Sequence, residues 1–326
     1  MKRSKSTQLQ RFYEQFSGND QVLIVINADP DAIASAMAIS RLLWRKTANL
    51  TISNINVISR PDNLAMQRLL GVSLAPFSGI DTHKFSRLVL VDSQPNHSEL
   101  MADLKPDVII DHHPDTGVKA PFLDIRPNYG ATATIMTEYL WAARIKPSAK
   151  LATALFHAIK TDTHDFTAQT QMEDVKAFQY LFRHANIHLA RKIEQADLRL
   201  DYLKYFKTAL QAMRLRKGWV FAHLGPVENP DICVIMADFF MRVSSVKWSI
   251  VSGTCDKKLV IIFRNDGIRK NAGRVAKDSF GQLGSAGGHK TMARAELSLS
   301  GLKQQIDYRD AAKLQLWIIN RTKKKS

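Results

Sequence analysis

Val22-Leu23-Ile24-Val25-Ile26-Asn27-Ala28-Asp29-Pro30-Asp31-Ala32 sets an unbroken apolar run directly against a pair of carboxylates. Five consecutive apolar residues, most of them β-branched, read as a strand covered on both sides, the pattern of a parallel sheet. Residues 32 to 45 then repeat apolar positions at helical spacing. Ile55 to Ile58, Leu88-Val89-Leu90-Val91 and Val108-Ile109-Ile110 read as further strands, with helices expected near 62–70 and 96–103. Such alternation predicts an α/β fold with a parallel sheet and helices on both faces. Residues 130–215 read as mostly helical, in several pieces. The character changes near Lys217: strands are expected at 220–224, 246–252 and 259–263, a helix at 234–242, and a glycine-rich stretch at 281–289. The reading is therefore a first domain over 1–197, a connector helix over 198–216, and a smaller α/β domain over 217–326, facing the first across a cleft.

Composition narrows the chemistry. The chain has 326 residues, 45% of them apolar, enough for a packed core. Lys and Arg total 46 against 30 Asp and Glu, a formal net charge of +16. That surplus points to an anionic partner such as nucleic acid or nucleotides, against the plainer reading of a basic protein kept dispersed by charge. The two cysteines, Cys233 and Cys255, form no CxxC pair, which argues against a thiolate zinc site and fits a reducing compartment. The basic start, Met1 to Lys5, has no apolar segment behind it, so no signal peptide is read. No apolar run reaches the roughly 20 residues that span a bilayer. A cytoplasmic location without a membrane partner is expected.

The residues able to do chemistry share one position. Asp29 and Asp31 follow the first strand, Asp92 follows Leu88–Val91, Asp111-His112-His113 follows Val108–Ile110, and Asp162 ends a helical run. Open parallel sheets bind ligands beyond the carboxyl ends of their strands. Carboxylates gathered there repel one another, and divalent cations relieve the repulsion through oxygen and imidazole ligands. Each signal alone has a structural reading: an Asp after a strand is often a helix N-cap, and an isolated Asp-His-His is often a loop. Acidic residues at so many element ends of one alternating domain are hard to obtain from capping alone.

Asp29-Pro30-Asp31-Ala32-Ile33-Ala34-Ser35, Asp92, Asp111-His112-His113 and Asp162-Thr163 resemble the ordered motifs of the DHH phosphoesterases. Phe263-Arg264-Asn265-Asp266, Asn271-Ala272-Gly273 and Gly284-Ser285-Ala286-Gly287-Gly288-His289 resemble the DHH-associated C-terminal substrate-binding domain. The combination is similar to the branch of nano-RNases, phosphoadenosine-phosphate phosphatases, cyclic-dinucleotide phosphodiesterases and RecJ-type exonucleases. The resemblance implies a two-metal centre, with manganese as first choice and magnesium as second. Asp92 would bridge both ions, Asp31, His112 and Asp162 would complete one site, and Asp29 would belong to the other. Asp111 would orient a ligand histidine, and His113 would face the substrate phosphate. Arg264, Gly287, Gly288 and His289 would bind substrate, among the flanking basic residues Arg269, Lys270, Arg274, Lys290 and Arg294.

One position departs from the family pattern. A histidine usually stands four residues before the first Asp, and here that residue is Val25, which cannot bind metal. Asn27, two residues on, offers at most a weak oxygen. In order of preference, the second ion is weak and recruited by substrate, or the enzyme uses one ion, or the protein has drifted into binding. The resemblance implies hydrolysis of short oligonucleotides, linear dinucleotides or nucleotide phosphates by a metal-activated water. The alternatives are a single-strand exonuclease on longer strands and a nucleic-acid or dinucleotide-binding protein with a degenerate metal site. An inorganic pyrophosphatase is disfavoured by the Gly-Gly-His stretch. A homodimer is a candidate assembly.

Overall fold

The computed structural model describes residues 5–195, 198–303 and 305–324. The basic start at residues 1–4 and the boundary read at residue 197 lie outside them. The chain divides into two compact units, Met1–Asp197 and Leu198–Ser326.

In the first unit, β1 (Gln21–Ile26), β2 (Asn49–Asn54), β3 (Ala75–Pro76), β4 (Arg87–Val91), β5 (Val108–Asp111) and β6 (Phe122–Ile125) form one sheet, ordered β3-β2-β1-β4-β5-β6. Every pairing is parallel. The helices are α1 (Lys5–Tyr13), α2 (Pro30–Leu43), α3 (Pro61–Leu70), α4 (Thr132–Ala142), α5 (Ala149–Asp162), α6 (Met172–Phe182) and α7 (Ile187–Glu194). Alternation along β1 splits its side chains between two cores. Val22, Ile24 and Ile26 face the core that receives residues of all these helices. Leu23 and Val25 face the other side with Leu90, Met101 and Ile109.

That second face, also expected to carry helices, is instead covered by loops and short 3-10 turns, including Phe77–Gly79, through Phe77, Ile80, Phe85, Leu104 and Val118. The β3–β4 connection, residues 77–86, is too short for a full crossover helix. The helix expected at 96–103 is a 3-10 turn at Pro95–His97 followed by further turns. Its geometry is fixed locally, because the Gln94 N–H donates to the His97 side chain. The strand expected at 55–58 lies instead at β2, since Asn49 to Asn54 pair with the whole of β1. Ile55 gives the last bond, to the Ile26 carbonyl, before the chain turns toward α3.

The second unit contains α8 (Leu203–Ala212), β7 (Arg214–Arg216), β8 (Trp219–Pro226), α9 (Asp231–Met241), β9 (Trp248–Cys255), β10 (Lys258–Asn265), α10 (Ala272–Phe280), β11 (Gly284–Gly288), β12 (Met292–Ser298), α11 (Leu299–Leu302) and α12 (Ala311–Lys324). Its sheet runs β11-β12-β10-β9-β8-β7. Only β8 and β9 are parallel neighbours. α8, within the stretch read as a connector, buries Tyr205 and Ala209 against α9 and β8 in the core of this unit. α10 and α12 cover the opposite face. The glycine-rich stretch forms edge strand β11. No helix among the described residues is long and apolar enough to cross a membrane.

Candidate metal centre

The first unit brings its acidic residues to the carboxyl ends of β1, β4 and β5. Asp29 is the N-cap of α2, its Oδ1 accepting the Ala32 N–H at 2.9 Å, with Pro30 preset for the first helical position. Asp31, in that first turn, is fully buried. Asp92 follows β4 with a φ of +58°, a left-handed backbone that L-residues adopt at a cost. Asp111 ends β5, and Asp162 is the last residue of α5.

His112 is the centre of the cluster. Its Nδ1 lies 3.2 Å from the Tyr129 carbonyl oxygen, which can only accept, so Nδ1 carries a proton. In the neutral ring Nε2 then holds a lone pair. That atom lies 3.3 Å from Asp162 Oδ2, 3.6 Å from Asp92 Oδ1 and 3.9 Å from Asp31 Oδ2. It is buried and has hydrogen-bond geometry to none of them. A lone pair facing three carboxylates is stable only with positive charge between them, either a proton on the ring or a metal ion. Ligand atoms of Asp31, His112 and Asp162 all lie within 4.8 Å of one another. The donor set, imidazole nitrogen with carboxylate oxygens, fits a divalent cation.

Without an ion the acid–base balance is strained. Burial, then the charges of Asp31, Asp29, Asp162 and Asp111, push Asp92 well above the carboxylate range. Burial and the neighbouring Asp162 raise Asp31 to about 7. Burial also raises Asp29 and Asp162. Burial pulls His112 down, but Asp162 and Asp31 outweigh it and lift the ring to about 10.

Residues with no sequence signal hold these groups in place. The N–H groups of Thr132 and Ala133, at the start of α4, each donate to an Asp31 oxygen at 2.7 Å. The Thr132 hydroxyl donates to Asp92 Oδ1 at 2.8 Å. Asp174 steadies this loop, accepting from the Gly130 N–H at 3.0 Å and the Thr134 hydroxyl at 2.6 Å. Gly130 is required by space: a Cβ there would stand 2.6 Å from Thr163 Cγ2 and 2.7 Å from the Gln169 carbonyl oxygen.

Asp111 is saturated. Its Oδ1 accepts from the backbone N–H groups of His112 and His113 and from His113 Nδ1 at 2.8 Å, and its Oδ2 accepts from Gln94 Nε2 at 2.6 Å. Burial works against ionisation, yet these bonds and the His113 ring hold it down at about 2. The imidazole it orients is that of His113; it meets His112 only through the backbone.

Val25 is sealed in the apolar second face, fully buried. Asn27 is exposed. β1 itself carries no histidine.

In the second unit, Arg264 on β10 gives Nε to Asp238 Oδ1 at 2.7 Å and Nη1 to the Phe263 carbonyl at 3.1 Å. Gly287 and Gly288 end β11, where they pair with Arg294 and Ala293, two steps and one step in register from the Arg264–Met292 pair. The Gly273 N–H donates to the His289 carbonyl, and the Ala272 N–H to that of Lys290. The first amides of α10 are thus spent on backbone. A Cβ on Gly273 would stand 2.2 Å from the Gly288 carbonyl oxygen, so glycine is what lets α10 approach β11.

Comparison with known proteins bears on the same residues. Residues 21–159 match the family model described as DHH family, N-terminal domain. The chain is 33% identical over 294 residues to an uncharacterized protein of Methanocaldococcus jannaschii, an alignment taking in 90% of this chain and 61% of that protein. It shares a fold with an exopolyphosphatase-related protein from Bacteroides fragilis, with a TM-score of 0.72 and 14% identity over 97% of each chain. It is also similar in fold to exonuclease RecJ bound to manganese, with a TM-score of 0.52 and 13% identity over 99% of this chain and 97% of that one. The match spans β1 to α5, where Asp29, Asp31, Asp92 and the Asp111-His112-His113 triplet stand, so residues 21–159 are similar to the N-terminal domain of the DHH family.

Proposed function

We propose that the protein is a metal-dependent phosphoesterase that hydrolyses short oligonucleotides, linear dinucleotides or nucleotide phosphates. The observation that carries this reading is the orphaned Nε2 of His112, buried and facing Asp31, Asp92 and Asp162. Those four residues would hold a divalent ion, manganese or magnesium, with Asp29 available to a second and weaker one. A bound ion supplies positive charge against the phosphate and acidifies water. The chain's own residues supply the rest. Thr132 fixes Asp31 and Asp92 by its N–H and its hydroxyl. Asp111 holds the His113 Nδ1 proton, which fixes the ring's orientation for contact with the phosphate. Arg264, Gly287, Gly288 and His289 would recognise the remainder of the substrate, and the +16 charge adds a diffuse attraction for phosphates. RecJ, among the structural relatives, is an exonuclease bound to manganese, and longer strands are the competing substrate.

The test is hydrolysis of labelled single strands from dinucleotides upward, with manganese, at low and moderate salt. Rates should peak at the shortest substrates at both salts. Rates climbing steadily with length would favour the exonuclease. Asp92→Ala should lose at least about a hundredfold, since even outer partners of metal ligands are worth that order. Full activity in that variant would overturn the assigned centre.

A further inference from the structure

His97 sits beside this site. It ends the 3-10 turn after Asp92-Ser93-Gln94. Its ring meets His113 edge-on, with centroids 5.3 Å apart. One ring nitrogen of each histidine and an oxygen of Asp111 lie within 4.8 Å of one another, a spacing that would suit a metal ion. The protons argue otherwise. The Gln94 N–H donates to His97 Nδ1 at 3.3 Å, and a backbone amide can only donate. Nδ1 is therefore the acceptor, and the neutral ring carries its proton on Nε2. Asp111 already accepts four hydrogen bonds, including the His113 Nδ1–H. The lone pair of His97 is already engaged by the Gln94 amide, so this ring brings no free lone pair to a cation, unlike His112 with its three carboxylates. What it offers is an N–H donor.

The donor is also held ready. Gln94 is fully buried and ties the turn to the segment after β5: its Nε2 donates to Asp111 and to the Pro114 carbonyl, and its Oε1 accepts from the Thr116 N–H and hydroxyl. His97 itself is exposed. An exposed ring whose Nδ1 is anchored by the backbone, leaving Nε2–H free to donate, suits an oxyanion bound beside His113.

We propose that His97 is a substrate-binding residue, donating its Nε2–H to a non-bridging oxygen of the phosphate group that His113 faces. This rests on the phosphoesterase reading for the identity of the anion, and its test does not require turnover. Calorimetry would measure binding of a nucleoside 5′-monophosphate and, separately, of manganese, to wild type, His97→Ala and His97→Gln. His97→Ala should weaken nucleotide binding by about tenfold, the order of one hydrogen bond to a charged group, and leave manganese binding unchanged. His97→Gln keeps an N–H donor and should recover part of the loss. In kinetics the effect should fall on KM more than on kcat. Nucleotide affinity within twofold of wild type in folded His97→Ala would overturn the proposal. Loss of manganese binding in both variants would overturn it too, by making His97 a metal ligand. His97-dependent nucleotide binding without hydrolysis of any substrate would uphold this residue's role and reject the phosphoesterase reading.

Discussion

At the scale of single residues, one atom decides the chemistry. His112 Nε2 must share its space with a proton or an ion, because three carboxylates face it. In the metal-free protein the folded values of Asp31 and His112, about 7 and about 10, both lie above those of an unfolded chain. The folded state therefore binds extra protons. The stability they contribute is complete below the unfolded values, and it is lost as pH rises through about 7 for Asp31 and about 10 for His112. An ion must displace these protons, so it competes better as pH rises. The gain in Tm on adding manganese should accordingly be larger at pH 8 than at pH 5.5. Thermal unfolding at the two pH values checks this, and an equal or smaller gain at pH 8 would contradict it. The acidic residues were legible from sequence because each stands at the end of an apolar run. Thr132, Gln94, His97 and Asp174 were not, since their partners are set by tertiary contacts; Thr132 reaches Asp31 across 101 positions. The role of Asp111 was half legible: it orients a histidine, but the ring it holds is His113.

At the scale of elements, the start of α4 is the main positioning device. Its first N–H groups have no partners within the helix and are satisfied by Asp31, which thereby caps α4 from a distant segment. Thr132 adds a hydroxyl bond to Asp92. Thr132→Val keeps the N–H and removes the hydroxyl. We expect it to lower hydrolysis and manganese affinity by about 10- to 100-fold with Tm little changed. Thr132→Ser should restore most of the loss. Unchanged manganese affinity in Thr132→Val would remove the hydroxyl from the account. The elements that the sequence did not show each have their own reason. β2 is polar in sequence, Asn49-Leu50-Thr51-Ile52-Ser53-Asn54, because β3 covers only Ser53 and Asn54 of it, so its outer half needs no apolar run. β11 is held by backbone pairing to β12, and its glycines carry no side-chain periodicity to read. The turn at Pro95–His97 is set by a side chain bonding back to the main chain, which competes with a full helix.

At the scale of the whole molecule, the parallel sheet of the first unit and the mixed sheet of the second were both legible as α/β, since long apolar runs dominate each. The helices of the first unit gather on one face, leaving β1, β4 and β5 to present their carboxyl ends to one cluster. The departure at Val25 belongs to this scale, because the sheet's second core has absorbed that position as an apolar residue. On the proposed reading, one donor set is complete and the other is deficient. Calorimetric titration of the metal-stripped protein with manganese at pH 8, for wild type and for His112→Ala, tests this most directly. Wild type should take up one tight ion per chain and a second that is weak or undetected, and His112→Ala should lose the tight one. No uptake by wild type, or uptake as tight in His112→Ala as in wild type, would contradict it.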